Sequence, residues 1–227
     1  MKQIPKSFKK SNKEKEIRAC KRGTATQAIG TIEKDTDTFI LTYGQFSLID
    51  ALMVILDQTG PAHVAISTWT AAHAHLDKSQ ELMENSEILS LRMIVDRSFK
   101  TRQPGYFAHM IKLFGVDCVR EMRTHAKFIT VRNDKFNIVA RTSMNLNENP
   151  RLENIEISES KDFADFFTAI VDDIFTEIDP SENKSDMLEF SSLPENPRFK
   201  MVSGDYIKRQ NLKEARYTHE LREHKKS

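Results

Sequence analysis

Cysteine is nearly absent from this chain. Cys20 and Cys118 are the only two in 227 residues, and their separation fits neither a disulfide framework nor a metal-ligand pair, which points to a reducing compartment and a cytoplasmic location. Glycine is almost as scarce: seven scattered residues make no phosphate cradle, and no Walker-type loop, CxxC pair, HExxH helix or G-x-S-x-G elbow occurs. Long apolar runs are missing as well, since the longest, Ala51 to Leu56, falls far short of a bilayer span. The first twenty residues are lysine-rich and hold no apolar stretch, so no secretory leader is expected there. A chain of this length accommodates one domain of about 140 to 180 residues with tails, and not two full lobes.

A net charge of +1 conceals an uneven distribution. Residues 1–22 carry nine lysines and arginines against Glu14 and Glu16, the stretch from Lys208 to Lys226 is also net basic, and residues 153–189 are dominated by Glu and Asp. Basic arms of this kind either attract nucleic acid and anionic surfaces through counterion release or serve as solvated tails. The pattern divides the chain into a basic, disordered arm (1–36), a folded domain (37–178), a linker (179–204) with Pro180, Pro194 and Pro197 among polar residues, and a charged helix or tail (205–227).

Within the domain, strand-like and helix-like segments alternate. Strands are expected at 38–42, 62–68, 91–95 and 116–119. Helices are expected from Ser47-Leu48-Ile49-Asp50, which has the form of a capping box, at about 71–83, at 104–114 and at 162–178. Residues 97–102 read as a basic loop. This alternation argues for an α/β sandwich around a central sheet.

One stretch has the residue types of a reactive site. His125-Ala126-Lys127 stands at the mouth of the apolar run Phe128 to Val131, and Thr142-Ser143-Met144-Asn145 follows a second run, Phe136 to Ala140. Between them Arg132-Asn133-Asp134-Lys135 has the composition of a turn. On a strand, residues two apart share a face, so His125 and Lys127 lie together, as do Ser143 and Asn145. A hairpin folded about Asp134 brings His125 opposite Ser143. Lysine, amide and hydroxyl donors beside an imidazole suit a phosphoryl group. Spacing alone also yields such pairs by chance: His224 and Lys226 repeat it in the charged tail, with no strand behind them.

The arrangement resembles the phospholipase D-like superfamily, whose signature is a histidine, any residue, a lysine, a later aspartate and a Gly-Ser-x-Asn element. His125, Lys127, Ser143 and Asn145 match, and Glu153, in Arg151 to Ile157, is similar to the acidic residue that orients the histidine in single-motif nucleases of the superfamily. Two positions depart from it. Thr142 replaces the glycine, setting a side chain where backbone would approach a phosphate. The aspartate is replaced by Arg132, with Asp134 two residues late. The resemblance covers about residues 37–178 and implies a phospholipase D-like α/β sandwich, with a central mixed sheet flanked by helices and a single copy of the motif. It further implies a metal-independent phosphodiesterase without cofactor, in which a homodimer supplies two copies of His125. The basic arms favour nucleic acid as substrate, DNA before RNA, so a nuclease is expected. The alternatives are a lipid or small phosphodiester hydrolase or transferase, and a non-catalytic nucleic-acid-binding protein that keeps the fold.

Further candidates surround the motif. Trp69 follows the second strand and either lines the cleft or belongs to the core, while Arg97, Lys100 and Arg102 leave the third strand and either hold flanking phosphates or form a solvated loop. His73 and His75 are two apart on a predicted helix, do not share a face, and are not expected to bind a metal.

Overall fold

The structure, a computed structural model, describes residues 6–8, 14–19, 24–146, 151–180 and 199–201, with side chains for 24–146 and 151–180. The predicted charged helix at 205–227 and most of the predicted linker lie outside the described residues. Eight strands form one mixed sheet in the order β2-β3-β9-β8-β7-β4-β5-β6. In chain order these are β2 (Glu14–Ala19), β3 (Thr36–Thr42), β4 (Ala62–Thr68), β5 (Ile88–Asp96), β6 (Val119–Met122), β7 (Phe128–Arg132), β8 (Asn137–Thr142) and β9 (Glu153–Glu159). The pairs β2/β3, β4/β5 and β5/β6 are parallel, and the other neighbours are antiparallel. A separate two-stranded pairing joins β1 (Lys6–Phe8) to β10 (Phe199–Met201). Two elements of the main fold, β2 and the short helix α1 (Ala25–Ile29), therefore precede the expected domain start at 37.

Helices cover both faces of the sheet, so its central strands are apolar on both sides. In β7, Ile129 and Val131 pack with the cluster containing Leu48, Leu52 and Ile55 of α2 (Leu48–Thr59) and Leu76 of α3 (His73–Glu84). Phe128 points the other way, toward Val171 and Ile174 of α6 (Lys161–Glu177). The period-two split of this strand is the one its sequence predicts. The capping box at α2 also forms: Asp50 N–H donates to Ser47 Oγ at 3.2 Å, and Ser47 N–H donates to Asp50 Oδ2 at 2.7 Å. That helix stops at Gly60, whose φ of +77° is costly for any residue with a Cβ.

Three local expectations change. Residues 97–102 are not a loop; Ser98–Arg102 form the one-turn helix α4, followed by α5 (Pro104–Phe114). Fully buried Phe99 anchors that turn, and the Asp96 carboxylate accepts the Ser98 N–H at 2.9 Å. The strand expected at 116–119 begins only at Val119, because Val116–Cys118 wind into a 3₁₀ turn; the Arg120 guanidinium clasps the turn by donating to the carbonyls of Val116, Asp117 and Val119 at 3.3, 3.0 and 2.9 Å. The third change concerns the site: β7 starts at Phe128, so His125 and Lys127 precede the strand rather than lying on it.

Candidate active site

The hairpin of β7 and β8 forms with Phe128 opposite Arg141, one residue from the register about Asp134. Asn133 makes its turn, with Oδ1 accepting the N–H groups of Lys135 at 3.0 Å and Phe136 at 2.9 Å. At the open end, Thr142 N–H donates to the Lys127 carbonyl at 3.1 Å, which places Lys127 rather than His125 across from the Thr142-Ser143 segment. Because β7 and β9 run against β4, β5 and β8, the starts of the first pair and the ends of the other three lie at one end of the sheet. Trp69, the 97–102 segment, His125, Lys127, Ser143, Asn145 and Glu153 all fall at that end.

Contacts join most of these residues. Lys127 Nζ lies 3.4 Å from His125 Nδ1 and 3.2 Å from the His125 carbonyl; the first distance is at the outer limit of a hydrogen bond. Burial pushes the Lys127 ammonium below its ordinary pKa, and the Glu153 carboxylate opposes that shift in part. Glu153 accepts a hydrogen bond from Ser143 Oγ, which itself accepts the Asn154 N–H at 3.0 Å. The carboxylate thus meets the serine, where the resemblance implies the imidazole. Asn145 Oδ1 accepts the Trp69 backbone N–H at 3.3 Å, leaving its amide nitrogen as a donor. His125 and Ser143 are exposed, while Lys127, Asn145 and Glu153 are half-buried.

Trp69 lies beside His125 and outside the buried core clusters. Its half-buried ring lies 6.0 Å from the His125 ring, centroid to centroid, and the Arg102 guanidinium sits 3.8 Å from the indole centroid. Arg102 also donates to the Trp69 carbonyl at 3.4 Å and to Ser98 Oγ at 3.0 Å. Lys100 goes elsewhere: on a helix, residues two apart face apart, and its ammonium pairs with Glu121 at 3.2 Å over the Phe107 ring. Arg97 is exposed, with its backbone N–H donating to the Met122 carbonyl at 2.9 Å.

Thr142, at the glycine position, directs its hydroxyl into backbone. Its Oγ1 donates to the Asn154 carbonyl at 2.6 Å and accepts the Met144 N–H at 2.9 Å, fixing the bend that carries Ser143. The sequence reading missed Ser67, Asp96 and Thr124, which hold the His125 segment. The signal was an Asp-x-Ser pattern closing an apolar strand. Among the described residues no three His, Cys, Asp or Glu side chains are placed to hold a metal ion. His73 packs against the rings of Tyr106 and His109 at 4.3 and 4.5 Å, and His75 is buried.

Fold and site together define an α/β sandwich with a histidine–lysine motif and a serine–asparagine element at the end of a mixed sheet. The fold class expected from the phospholipase D-like resemblance is the one observed. No family model matches the sequence, and no curated protein does. Solved structures do show likeness. A phospholipase D family member, Nuc from Salmonella typhimurium, is similar at a TM-score of 0.47 and 15% identity over 63% of this chain and 97% of its own. The polyphosphate kinase from Porphyromonas gingivalis is similar at a TM-score of 0.47 and 11% identity over 64% of this chain and 27% of its own. No helix among the described residues is long and apolar enough to cross a membrane.

Proposed function

We propose that the chain is a phosphodiesterase acting on nucleic acid, DNA before RNA, as a homodimer that uses a phosphohistidine intermediate and no metal. The observation that carries this reading is the convergence of His125, Lys127, Ser143, Asn145 and Glu153 at one end of the sheet, with the lysine ammonium against the imidazole. One chain offers one such histidine, and the reaction uses two. A two-fold axis supplies the second. His125 attacks phosphorus through its ring nitrogen, the leaving oxygen takes a proton from His125 of the partner subunit, and that imidazole then draws a proton from the water that cleaves the phosphorus–nitrogen bond. Lys127, Ser143 and Asn145 donate to the phosphoryl oxygens as charge builds on them.

Tautomer matters here. With Lys127 donating to Nδ1, the neutral ring carries its proton on Nε2; the acid instead needs both ring nitrogens protonated, and the nucleophile needs a proton on Nδ1 with Nε2 free. Glu153 supports that form when it leaves Ser143 for the imidazole. Its engagement with Ser143 in this structure favours a second reading, a nucleic-acid-binding protein that keeps the fold without turnover. Incubation of plasmid and labelled oligonucleotide in EDTA separates the two. The enzyme cuts and loses all cutting in His125→Ala, and sedimentation shows a dimer. A protein that shifts DNA without cutting it, or a monomer of full activity, sinks the first reading or its shared site, respectively.

A further inference from the structure

Residues 125–127 precede the strand on which the sequence places them, and side chains from two strands far back in the chain hold the backbone around them. Asp96 closes β5, and its two carboxylate oxygens face different elements. One accepts the N–H of Ser98, at 2.9 Å, and the Ser98 hydroxyl, at the start of α4; the other accepts the Thr124 N–H at 3.1 Å. Thr124 Oγ1 in turn accepts the Ala126 N–H at 3.1 Å, and Ser67 Oγ, at the end of β4, donates to the Ala126 carbonyl at 2.8 Å. The backbone groups on either side of His125 are thus held by side chains instead of a ladder. On the α4 side, Ser98 Oγ receives Arg102 Nε at 3.0 Å, and Arg102 lies over Trp69. His125 is exposed, and among the described residues its ring has the long Lys127 contact and the Trp69 ring beside it, so its location depends on the segment beneath it.

We infer that Asp96 is a positioning residue, holding the His125 segment with one oxygen and the Arg102–Trp69 pair, through Ser98, with the other; this rests on the phosphodiesterase reading. The carboxylate is suited to the work because all its partners are donors. Burial raises its pKa, but the hydrogen bonds from Ser98 and Thr124 and the charge of Arg102 outweigh burial and hold it below the ordinary value, so both oxygens accept at neutral pH. An amide in its place turns an N–H toward one of those donors. The two arms carry different consequences. Weakening the Thr124 arm moves His125 and lowers kcat, while weakening the Ser98 arm frees Arg102 and raises KM.

Asp96→Asn, Thr124→Ala and Ser98→Ala test this in the full chain by steady-state kinetics on an oligonucleotide phosphodiester and amide hydrogen exchange. Asp96→Asn is expected to lower kcat by up to about a hundredfold, the cost of misplacing a catalytic group by about 1 Å, and to speed exchange at Thr124 and Ala126. Thr124→Ala keeps the Thr124 N–H on Asp96 but removes the bond that carries this arm on to Ala126, and it lowers kcat with little change in KM; Ser98→Ala raises KM with little change in kcat. Unchanged kcat in Asp96→Asn, unchanged exchange at both amides, or equal kinetic effects from the two arms overturns the inference. Should wild type fail to cut, the phosphodiesterase reading falls while the exchange data still decide whether Asp96 orders the segment. Should Asp96→Asn fail to fold, Asp96→Glu, which keeps the charge but displaces both oxygens by a methylene, decides: normal kcat and normal exchange at Thr124 and Ala126 overturn the inference.

Discussion

Thr142 invites a test because the phospholipase D-like signature has glycine at its position while this structure puts its hydroxyl to work. Thr142→Val keeps the volume and the β-branched shape but removes the 2.6 Å bond to the Asn154 carbonyl and the 2.9 Å bond from the Met144 N–H. Both bonds are partly buried, and Met144 is only 4% exposed, so the freed N–H has little access to water. Two such bonds at about 1 kcal/mol each give about 2 kcal/mol of destabilisation, which for a chain of this size lowers Tm by about 4–8 °C. Thr142→Ser keeps the hydroxyl and is expected to cost less than about 1 kcal/mol. Thr142→Gly loses the bonds and adds backbone freedom, for about 3 kcal/mol in all. Calorimetry ranks the series, and cleavage in EDTA accompanies it. A valine variant as stable as wild type, or a glycine variant that is more stable and more active, refutes the assignment of this side chain to the backbone bend.

Placement separates the basic residues that leave β5. Arg102→Ala removes the cation over Trp69 and is expected to weaken binding of a single-stranded oligonucleotide severalfold, whereas Lys100→Ala, whose ammonium faces Glu121, leaves binding unchanged; fluorescence anisotropy of a labelled strand reads both. Glu153 raises the pKa of Lys127 against burial, so Glu153→Gln lets burial act alone and moves the alkaline limb of the pH–rate profile to lower pH; an unmoved limb removes Lys127 from that role. Burial raises the pKa of Asp165, but bonds from Lys161 and Arg132 outweigh it and hold the carboxyl below its ordinary 3.8. A depressed carboxyl stabilises the fold above that value and loses its effect as pH falls through its folded value. The gap in Tm between wild type and Asp165→Asn should therefore close below about pH 3.8, and a gap that persists in acid counts against the ion pair.

Much of the architecture was legible because it rests on local rules. The mostly apolar Phe128 to Val131, the Ser47–Asp50 capping box and the Asn133 turn each carry their geometry in neighbouring residues. The histidine–lysine motif was legible for the same reason, since the hairpin that brings it to Thr142 and Ser143 is local. Long-range side-chain contacts were not. Ser67 and Asp96, far back in the chain, hold the backbone of Ala126 and Thr124 on either side of His125, and nothing near His125 announces them. Lys100 and Arg102 looked alike as members of one basic loop, and only the winding of α4 turns one toward Glu121 and the other toward Trp69.

The two ends of the hairpin are fastened by different means, and the difference bears on the second departure from the signature. Arg132 stands at the far end, where the signature has an aspartate. Its guanidinium reaches Asp165 at 2.7 Å and Thr168 at 2.9 Å on α6, and Asn137 at 3.2 and 3.0 Å across the turn. A forked, planar cation is suited to several acceptors at once, and one short carboxylate is not. The far end thereby gains a tie to α6 through charge of the opposite sign. At the near end the ladder gives way to single side-chain bonds from Ser67, Asp96 and Thr142, which hold backbone while leaving His125 exposed. A tied distal end with an open proximal mouth suits the shared nucleophile proposed above: the strand pair fixes the direction of the site, and the loop leaves the imidazole exposed.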